Sequence, residues 1–598
     1  MDLGSMHNIL DNARLGKAFR KSDIPDPAEE YKTYSKDELI AFKQRAQIMG
    51  LLKVERILAG PLGFWMFTNW CSRQQDIHCK HVGLFLVDLT SMKLALGEKR
   101  KRARDNILKA YFPLKSDRIP KQPSYVSPEM VRKLRPPVPE SAAKYADHVK
   151  VTILGDSRSS LMSRVSLSSG WPISRSRELI REDDPLTMFD VIEDLVIMYF
   201  EKVVMETWLN EESNPDFLEY MRYLKIQHDE SLSLSMFSVF RNMGKGGFGL
   251  VKGCRTQTTG RMYALKEMDK KRVKKRKSKH LCDQECMVLK LIDSPFCINL
   301  KYAFQTPTSL VLIIDLMMGG DLRYHHHRKE KRFPEEWARY YGARTMLGLQ
   351  ALHDAGFIYR DLKPENILVA DDGSTRLSDM GLAVRETPGL RGTAGTPGYC
   401  APEMLLGKTY DRLVDWWSFG CFMYELCAHH SPFRTKDACG FNGIKEKHKA
   451  ITAASCEMDI KWPASFSPDF LDLCQRLLTR DPNRRLGKQG GAAELMRHPF
   501  FKSLDWDMMK ADGFASANAP EAPPLVPGKT LNIEDMAKIG DFAELGDEVQ
   551  LEPADFPQDE WSFISQRAFQ SEVVWLLQWR AETAGQPSAT KSKACVIF

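Results

Sequence analysis

The sequence predicts an α+β protein with two lobes, a small β-rich one and a large helical one, preceded by two helical stretches on either side of an insertion. Three observations predict it. Short β-like runs with glycine turns begin at Phe237 and give way to helical segments after about Trp337, the signature of a β layer followed by an α layer. Helical periodicity fills residues 35–112 and returns from Phe189 to Leu224, on either side of a stretch rich in Pro, Ser and Arg. The 598 residues exceed what one hydrophobic core can serve.

Composition sets the remaining bounds. Hydrophobic residues at 43% and charged residues at 27% are ordinary for a globular protein, so disorder is expected only in linkers. Lys and Arg number 85 against 78 Asp and Glu, a net +7. Over this length, that excess makes no case for nucleic acid, and it agrees with work beside an anionic membrane surface. The 13 cysteines show no CxxC set and no zinc-site spacing. Without a secretory signal they read as reduced cytosolic thiols. The longest apolar runs, such as Val311–Leu316 with its Asp315, are too short to span a bilayer.

Along the chain, Leu3, Met6, Leu10 and Ala13 share one face of a short amphipathic helix within residues 1–20. Gly60-Pro61-Leu62-Gly63 breaks two helices. Residues 113–184, with Pro136-Pro137 and the run Arg158–Ser169, read as a partly disordered insertion. The basic run Lys270–Lys279 reads as a solvated loop or helix start. Residues 502–572 are polar with sparse aromatics and look like a tail lying on a surface; residues 580–594 read as a flexible linker.

The chemistry sits in an ordered set of motifs. Gly244, Gly246, Gly247 and Gly249, with Phe248 and Val251, form a GxGxxG run ahead of a strand. Glycines there let a hairpin fold its N–H groups over phosphate oxygens. Alone, the run is equally consistent with a structural turn. Ala264-Leu265-Lys266 puts a lysine on the next strand, and Glu285 follows on a helical segment. The decisive stretch is Tyr359-Arg360-Asp361-Leu362-Lys363-Pro364-Glu365-Asn366, followed by Ser378-Asp379-Met380-Gly381, Ala401-Pro402-Glu403, Asp415 and Arg485.

These motifs, in this order, resemble those of the protein kinases. The resemblance implies ATP and Mg²⁺ as cofactors. Asp361 would accept the substrate hydroxyl proton, and Lys363 would balance charge on the moving phosphoryl group. Asn366 and Asp379 would hold metal, and Lys266 would reach the phosphates with Glu285 as its counter-ion. Phosphoryl transfer asks for cations on phosphate oxygens and an in-line hydroxyl more than for covalent chemistry. Gly244, Gly246, Gly247, Phe248, Gly249, Val251, Ala264, Asp315 and Met317 would complete the ATP site. Asp415 would brace the catalytic loop, and Arg485 would pair with Glu403. The lysine after Asp361 and the pair Gly395-Thr396 fit a serine/threonine enzyme.

Tyr359, the ending His498-Pro499-Phe500-Phe501 and a tail with Phe556 and Phe563 look like the AGC group. Within it, Gly244–Val251, Asp315–Leu322 and Ser378-Asp379-Met380-Gly381-Leu382-Ala383 resemble the G protein-coupled receptor kinases, which carry DLG where most kinases carry DFG. The resemblance implies a receptor-docking helix at 1–20, a regulator-of-G-protein-signalling (RGS) homology bundle at 45–235 interrupted by the insertion 113–184, a kinase domain at 237–501 and an AGC tail at 502–572. A flexible tail would occupy 573–598. The implied substrate is an activated receptor, with desensitisation as the outcome and a Gα subunit as a candidate partner of the bundle. Gly392, or Thr393 if the register is shifted by one, stands where other AGC kinases carry a phosphorylated Thr; if no phosphate orders this loop, another event would have to close the lobes. In the family that event is receptor engagement of the N-terminal helix.

The chain ends Cys595-Val596-Ile597-Phe598, a C-a-a-X box that predicts geranylgeranylation of Cys595. This resembles the prenylated, rhodopsin-kinase-like type and implies a cytoplasmic, peripheral, lipid-anchored protein. One lipid binds reversibly, so a second contact is required. Two other functions remain open on the sequence: a catalytically silent Gα-binding scaffold, and an AGC kinase acting on soluble proteins.

Overall fold

In the computed structural model, the described residues are 34–74, 77–94, 102–107, 197, 201, 204–210, 214–229, 231–245, 248–328, 332–434, 444–510, 549–557 and 561–583. The docking helix at 1–20, the insertion at 113–184, Gly246, Gly247 and the lipidation box at Cys595 lie outside them. So does tail segment 511–548. The chain divides into two compact units, at residue 230 among the described residues.

The first unit is all-α. Its helices include α1 (Lys36–Ile48), α2 (Val54–Ala59), α3 (Pro61–Arg73), α4 (Ile77–Leu94), α5 (Met205–Trp208) and α6 (Pro215–Asp229). It starts ahead of the expected residue 45, because Ser35 and Glu38 close a reciprocal capping box on α1. Pro61, at the first turn of α3, ends α2 at Gly60. Close helix approach is built in: a Cβ on Gly83 would meet Cys71 Cβ at 2.7 Å. Trp208, wholly buried, meets Phe67, Phe217 and Tyr220 at ring-centroid distances of 5.5, 5.7 and 5.3 Å. The two stretches of chain on either side of the insertion therefore share one core.

The second unit opens with strands β1 (Phe237–Lys245), β2 (Gly249–Thr256) and β3 (Met262–Asp269), then helices α7 (Lys270–Lys275) and α8 (Lys279–Leu291), then β4 (Leu300–Gln305) and β5 (Ser309–Ile314). The basic run is thus helical on both sides of a turn at Lys277. Helices α9 (Leu322–Arg328) and α10 (Glu335–Asp354) begin the helical lobe. There, β6 (Phe357–Ile358), β7 (Ile367–Val369), β8 (Thr375–Leu377) and β9 (Val384–Arg385) form two small ribbons, β6 with β9 and β7 with β8. Helices α11 (Pro402–Leu405), α12 (Leu413–Ala428), α13 (Ile444–Glu457), α14 (Pro468–Leu477), α15 (Ala492–Met496) and α16 (Trp506–Lys510) complete it. Every residue of α12 is buried, as an all-round apolar helix requires.

The described end of the tail joins the fold. Strand β10 (Phe563–Ile564) pairs antiparallel with β4, so the six-stranded sheet runs β1-β2-β3-β5-β4-β10. Phe556 and Trp561 are buried in the main core. Helix α17 (Gln566–Thr583) follows, with Val573, Val574, Leu576 and Leu577 buried. This corrects the flexible tail expected over 573–598: residues 573–583 are helical, because Val573-Val574 and Leu576-Leu577 give the helix an apolar face to bury. Among the described residues, no helix is long and apolar enough to cross a membrane.

Candidate active site

The glycine hairpin and the strand after it form one wall. A Cβ on Gly249 would fall 1.6 Å from the Glu267 carbonyl oxygen, so β2 can approach β3 there only as glycine. Lys266 lies opposite Val251 on β2 and Leu312 on β5. Its ammonium donates to both oxygens of Glu285 on α8, at 2.6 and 2.7 Å. Burial works against the lysine's charge, but the carboxylates of Glu285 and Asp379 outweigh it and raise its pKa above the ordinary range. A cavity of about 240 Å³ lies here, lined by Phe248, Gly249, Val251, Lys266, Glu285 and Asp379 among others. Cys282, one turn before Glu285, also lines it, and burial pushes its thiol up to about 12, so it is inert as a nucleophile.

The catalytic loop is tied to the segment of Asp379 by the Ser378 N–H, which donates to the Asn366 carbonyl at 2.9 Å. Lys363 donates to Asp361 Oδ2 at 2.6 Å and to Thr396 Oγ1 at 2.8 Å, while Thr396 Oγ1 donates to Asp361 Oδ1 at 2.7 Å. Asn366 gives its amide hydrogens to the Asp361 carbonyl at 2.8 Å and to Oδ2 at 3.1 Å. The pair Gly395-Thr396 marks a serine/threonine enzyme in the sequence, but the contact of Thr396 with Asp361 spans a separation that no local pattern reveals. Gly395 explains how the threonine gets there. Its φ is +96°, and a Cβ would fall 2.2 Å from the Arg360 carbonyl oxygen.

Asp415 braces the loop from the buried helix α12. It accepts from the backbone N–H groups of Tyr359 and Arg360, both at 2.8 Å, and meets His353 Nε2 at 2.8 Å. Arg360, at φ +70°, donates to the Leu382 carbonyl at 2.8 Å and meets the Tyr410 hydroxyl at 3.0 Å. Arg485 and Glu403 form a buried two-point pair at 2.6 and 2.9 Å.

Asp379 takes the left-handed conformation, φ +56°, and stands across from Lys266. With Asn366, whose amide hydrogens are spent on Asp361, it offers a carboxylate and an amide oxygen, the hard donors Mg²⁺ prefers. Among the described residues no group of three or more acidic, His or Cys side chains could hold a metal ion alone. A cation here would therefore share its shell with phosphate oxygens, and the donor set fits that arrangement. When bound, Mg²⁺ and ATP supply the transferable phosphoryl group with its charge neutralised.

Asp315 and Met317 are set differently from the other expected ATP contacts. The Asp315 carboxylate is ion-paired with Arg376 and with Lys301, the latter at 3.0 Å, and accepts from the Asn299 N–H at 2.9 Å. Burial opposes its charge, but the two cations hold its pKa well below the carboxylate range. That side chain ties β4, β5 and β8 together, so only its backbone is left to face a ligand. Met317 is buried, and Ala264 lies opposite Gly253 and Ile314 in the sheet. Gly244, next to last in β1, has no atom within 4 Å of a Cβ placed there.

Residues 237–501 match the protein kinase domain family. The beta-adrenergic receptor kinase 1 of Homo sapiens is 41% identical over 337 residues, 55% of this chain and 46% of that protein. Its counterpart in Didelphis virginiana is 38% identical over 375 residues, 61% of this chain and 52% of that protein. The rhodopsin kinase of Homo sapiens is 38% identical over 336 residues, 54% of this chain and 57% of that protein. The chain spans about half the length of the curated relatives it matches.

Proposed function

We propose that the chain, whose residues 237–501 match the protein kinase domain family and resemble receptor kinases, transfers the γ-phosphate of ATP to serine or threonine hydroxyls of activated G protein-coupled receptors. The observation that carries the reading is the Lys266–Glu285 pair and Asp379 on one cavity, together with the Asp361–Lys363–Asn366–Thr396 network, which the Ser378 N–H on the Asn366 carbonyl ties to the segment of Asp379. A silent scaffold would have no use for a carboxylate held at hydrogen-bond distance from an ammonium and a threonine hydroxyl. In this reading Asp361 receives the proton of the incoming alcohol, Lys363 steadies the transferring charge, and desensitisation of the receptor is the consequence. The helical unit acts as an RGS-homology bundle with Gα as a candidate ligand, and geranylgeranylation of Cys595 holds the protein to the cytoplasmic membrane face.

The test is phosphate incorporation from labelled ATP and Mg²⁺ by the full chain on membranes bearing an activated receptor, an unliganded receptor, or a soluble AGC substrate. Labelling greatest on the activated receptor is expected. Asp361→Asn should lower it by ~10²–10⁴-fold while nucleotide binding persists. Absence of any labelled serine or threonine sinks the reading, and equal labelling of receptor and soluble protein sinks the substrate assignment.

A further inference from the structure

Beside the catalytic loop lies a charged cluster that phosphoryl transfer does not use. Glu365 stands between Lys363 and Asn366, on the short 3₁₀ turn Pro364–Asn366. Its Oε1 is paired with the guanidinium of Arg323, at the start of α9. Its Oε2 is closed off from solvent and has no hydrogen-bond donor among the described residues. A second carboxylate, Glu425, is buried near the end of α12 and accepts from the Tyr399 hydroxyl. Tyr399 follows Thr396 by three residues, and its backbone N–H is bonded to the Thr396 carbonyl at 3.1 Å. The cluster therefore adjoins the point where a substrate alcohol must meet Asp361.

Charge is what this cluster would otherwise offer a substrate. The Glu365 and Glu425 carboxylates repel each other, and Arg323 and Arg434 both offset Glu425. Arg434 packs over Gly398, where a Cβ would fall 2.5 Å from its Cγ. Glu365 is the less buried of the two acids, with 29% of its side chain exposed, and the Arg323 side chain over it is 38% exposed. Without Arg323, a partly exposed carboxylate with an unsatisfied oxygen would stand next to the phosphoacceptor. An arginine or lysine side chain of a substrate is the natural partner for such a group.

We infer that Arg323 is a specificity-determining residue: its guanidinium fills the acidic subsite built on Glu365 and excludes basic substrate side chains from it. This rests on the protein kinase reading above. The residue acts by occupying a peptide subsite, so its effect falls on substrate choice.

The test uses the full chain and serine peptides carrying Ala, Arg or Glu at each flanking position, with kcat/KM measured for each. The wild type discriminates against Arg or is indifferent to it. In Arg323→Gln the ratio of Arg to Ala peptides rises by about tenfold at one or more positions, the size expected of one charge-assisted contact, and added salt erodes the gain. Adding Glu365→Gln removes the gain. Arg323→Lys, which keeps the charge, preserves the wild-type ratio and serves as the second variant should Arg323→Gln unfold. An unchanged ratio in folded Arg323→Gln, a gain that survives Glu365→Gln, or a lysine variant that has lost discrimination against Arg overturns the inference. If the wild type labels no peptide at all, the kinase reading itself has failed and the inference falls with it.

Discussion

At the scale of single residues, the site is a set of short, charge-assisted contacts whose partners differ greatly in legibility. Asp361, Lys363 and Asn366 are close in sequence and were readable from one motif. Thr396 was not, because nothing local says that a threonine in another segment will sit 2.7 Å from Asp361. Its hydroxyl donates to the carboxylate that takes the substrate proton in the proposed mechanism, and so fixes that carboxylate's orientation. Thr396→Ala is expected to lower kcat by roughly 10-fold or more, the loss of about 1.5–3 kcal/mol that a hydrogen bond to a charged group provides. Thr396→Ser should recover most of the rate, with KM for ATP as the control that should move little. Asp315 shows the reverse limit. Its position in the chain suggested a ligand contact, yet its carboxylate is consumed by Arg376 and Lys301, and sequence patterns do not reveal ion pairs between distant segments.

Among elements, helix α8 decides whether the lysine and its counter-ion meet. Two contacts hold it besides Lys266–Glu285. Gln284 donates to the Ala383 carbonyl, and the indole N–H of Trp561 donates to Asp283 at 2.9 Å. The last comes from the tail, so the tail positions a helix of the active site. Trp561→Phe should cost ~1 kcal/mol, the usual net worth of a hydrogen bond. Trp561→Ala should cost ~3–5 kcal/mol through the cavity it leaves. Denaturant unfolding measures both, and kcat should fall in the same order. The large elements were legible because periodicity over many residues distinguishes helix from strand. Strand β10 was not, since two residues carry no alternation, and α17 was missed where polar Ser571 and Glu572 interrupt its apolar face.

At the scale of the whole molecule, Glu572 links the chain's late segment to the small lobe. It is buried and accepts from Thr259 at 2.7 Å, Tyr263 at 2.5 Å and Tyr302 at 2.7 Å. Burial raises its pKa above the ordinary carboxylate value, with the three hydroxyls pulling the other way. A raised folded-state pKa means the native protein binds the proton more tightly than the unfolded chain does. The stability it contributes is full below the unfolded value near 4.5 and is lost as pH rises through the folded value. Glu572→Gln is neutral at every pH and keeps an acceptor for the hydroxyls. The difference in melting temperature, variant minus wild type, should therefore grow as pH is raised from acidic to neutral. A difference that stays flat with pH would show that this carboxylate is not the group being titrated.

The pairing of β10 with β4 also has a consequence for biosynthesis. Tyr302 and Ala303 leave the ribosome long before Phe563 and Ile564 exist to join them. At ~5–20 residues per second, that delay is on the order of tens of seconds. During that interval the nascent small lobe carries an open, aromatic-rich sheet edge, so this is the stage at which a chaperone has most to shield.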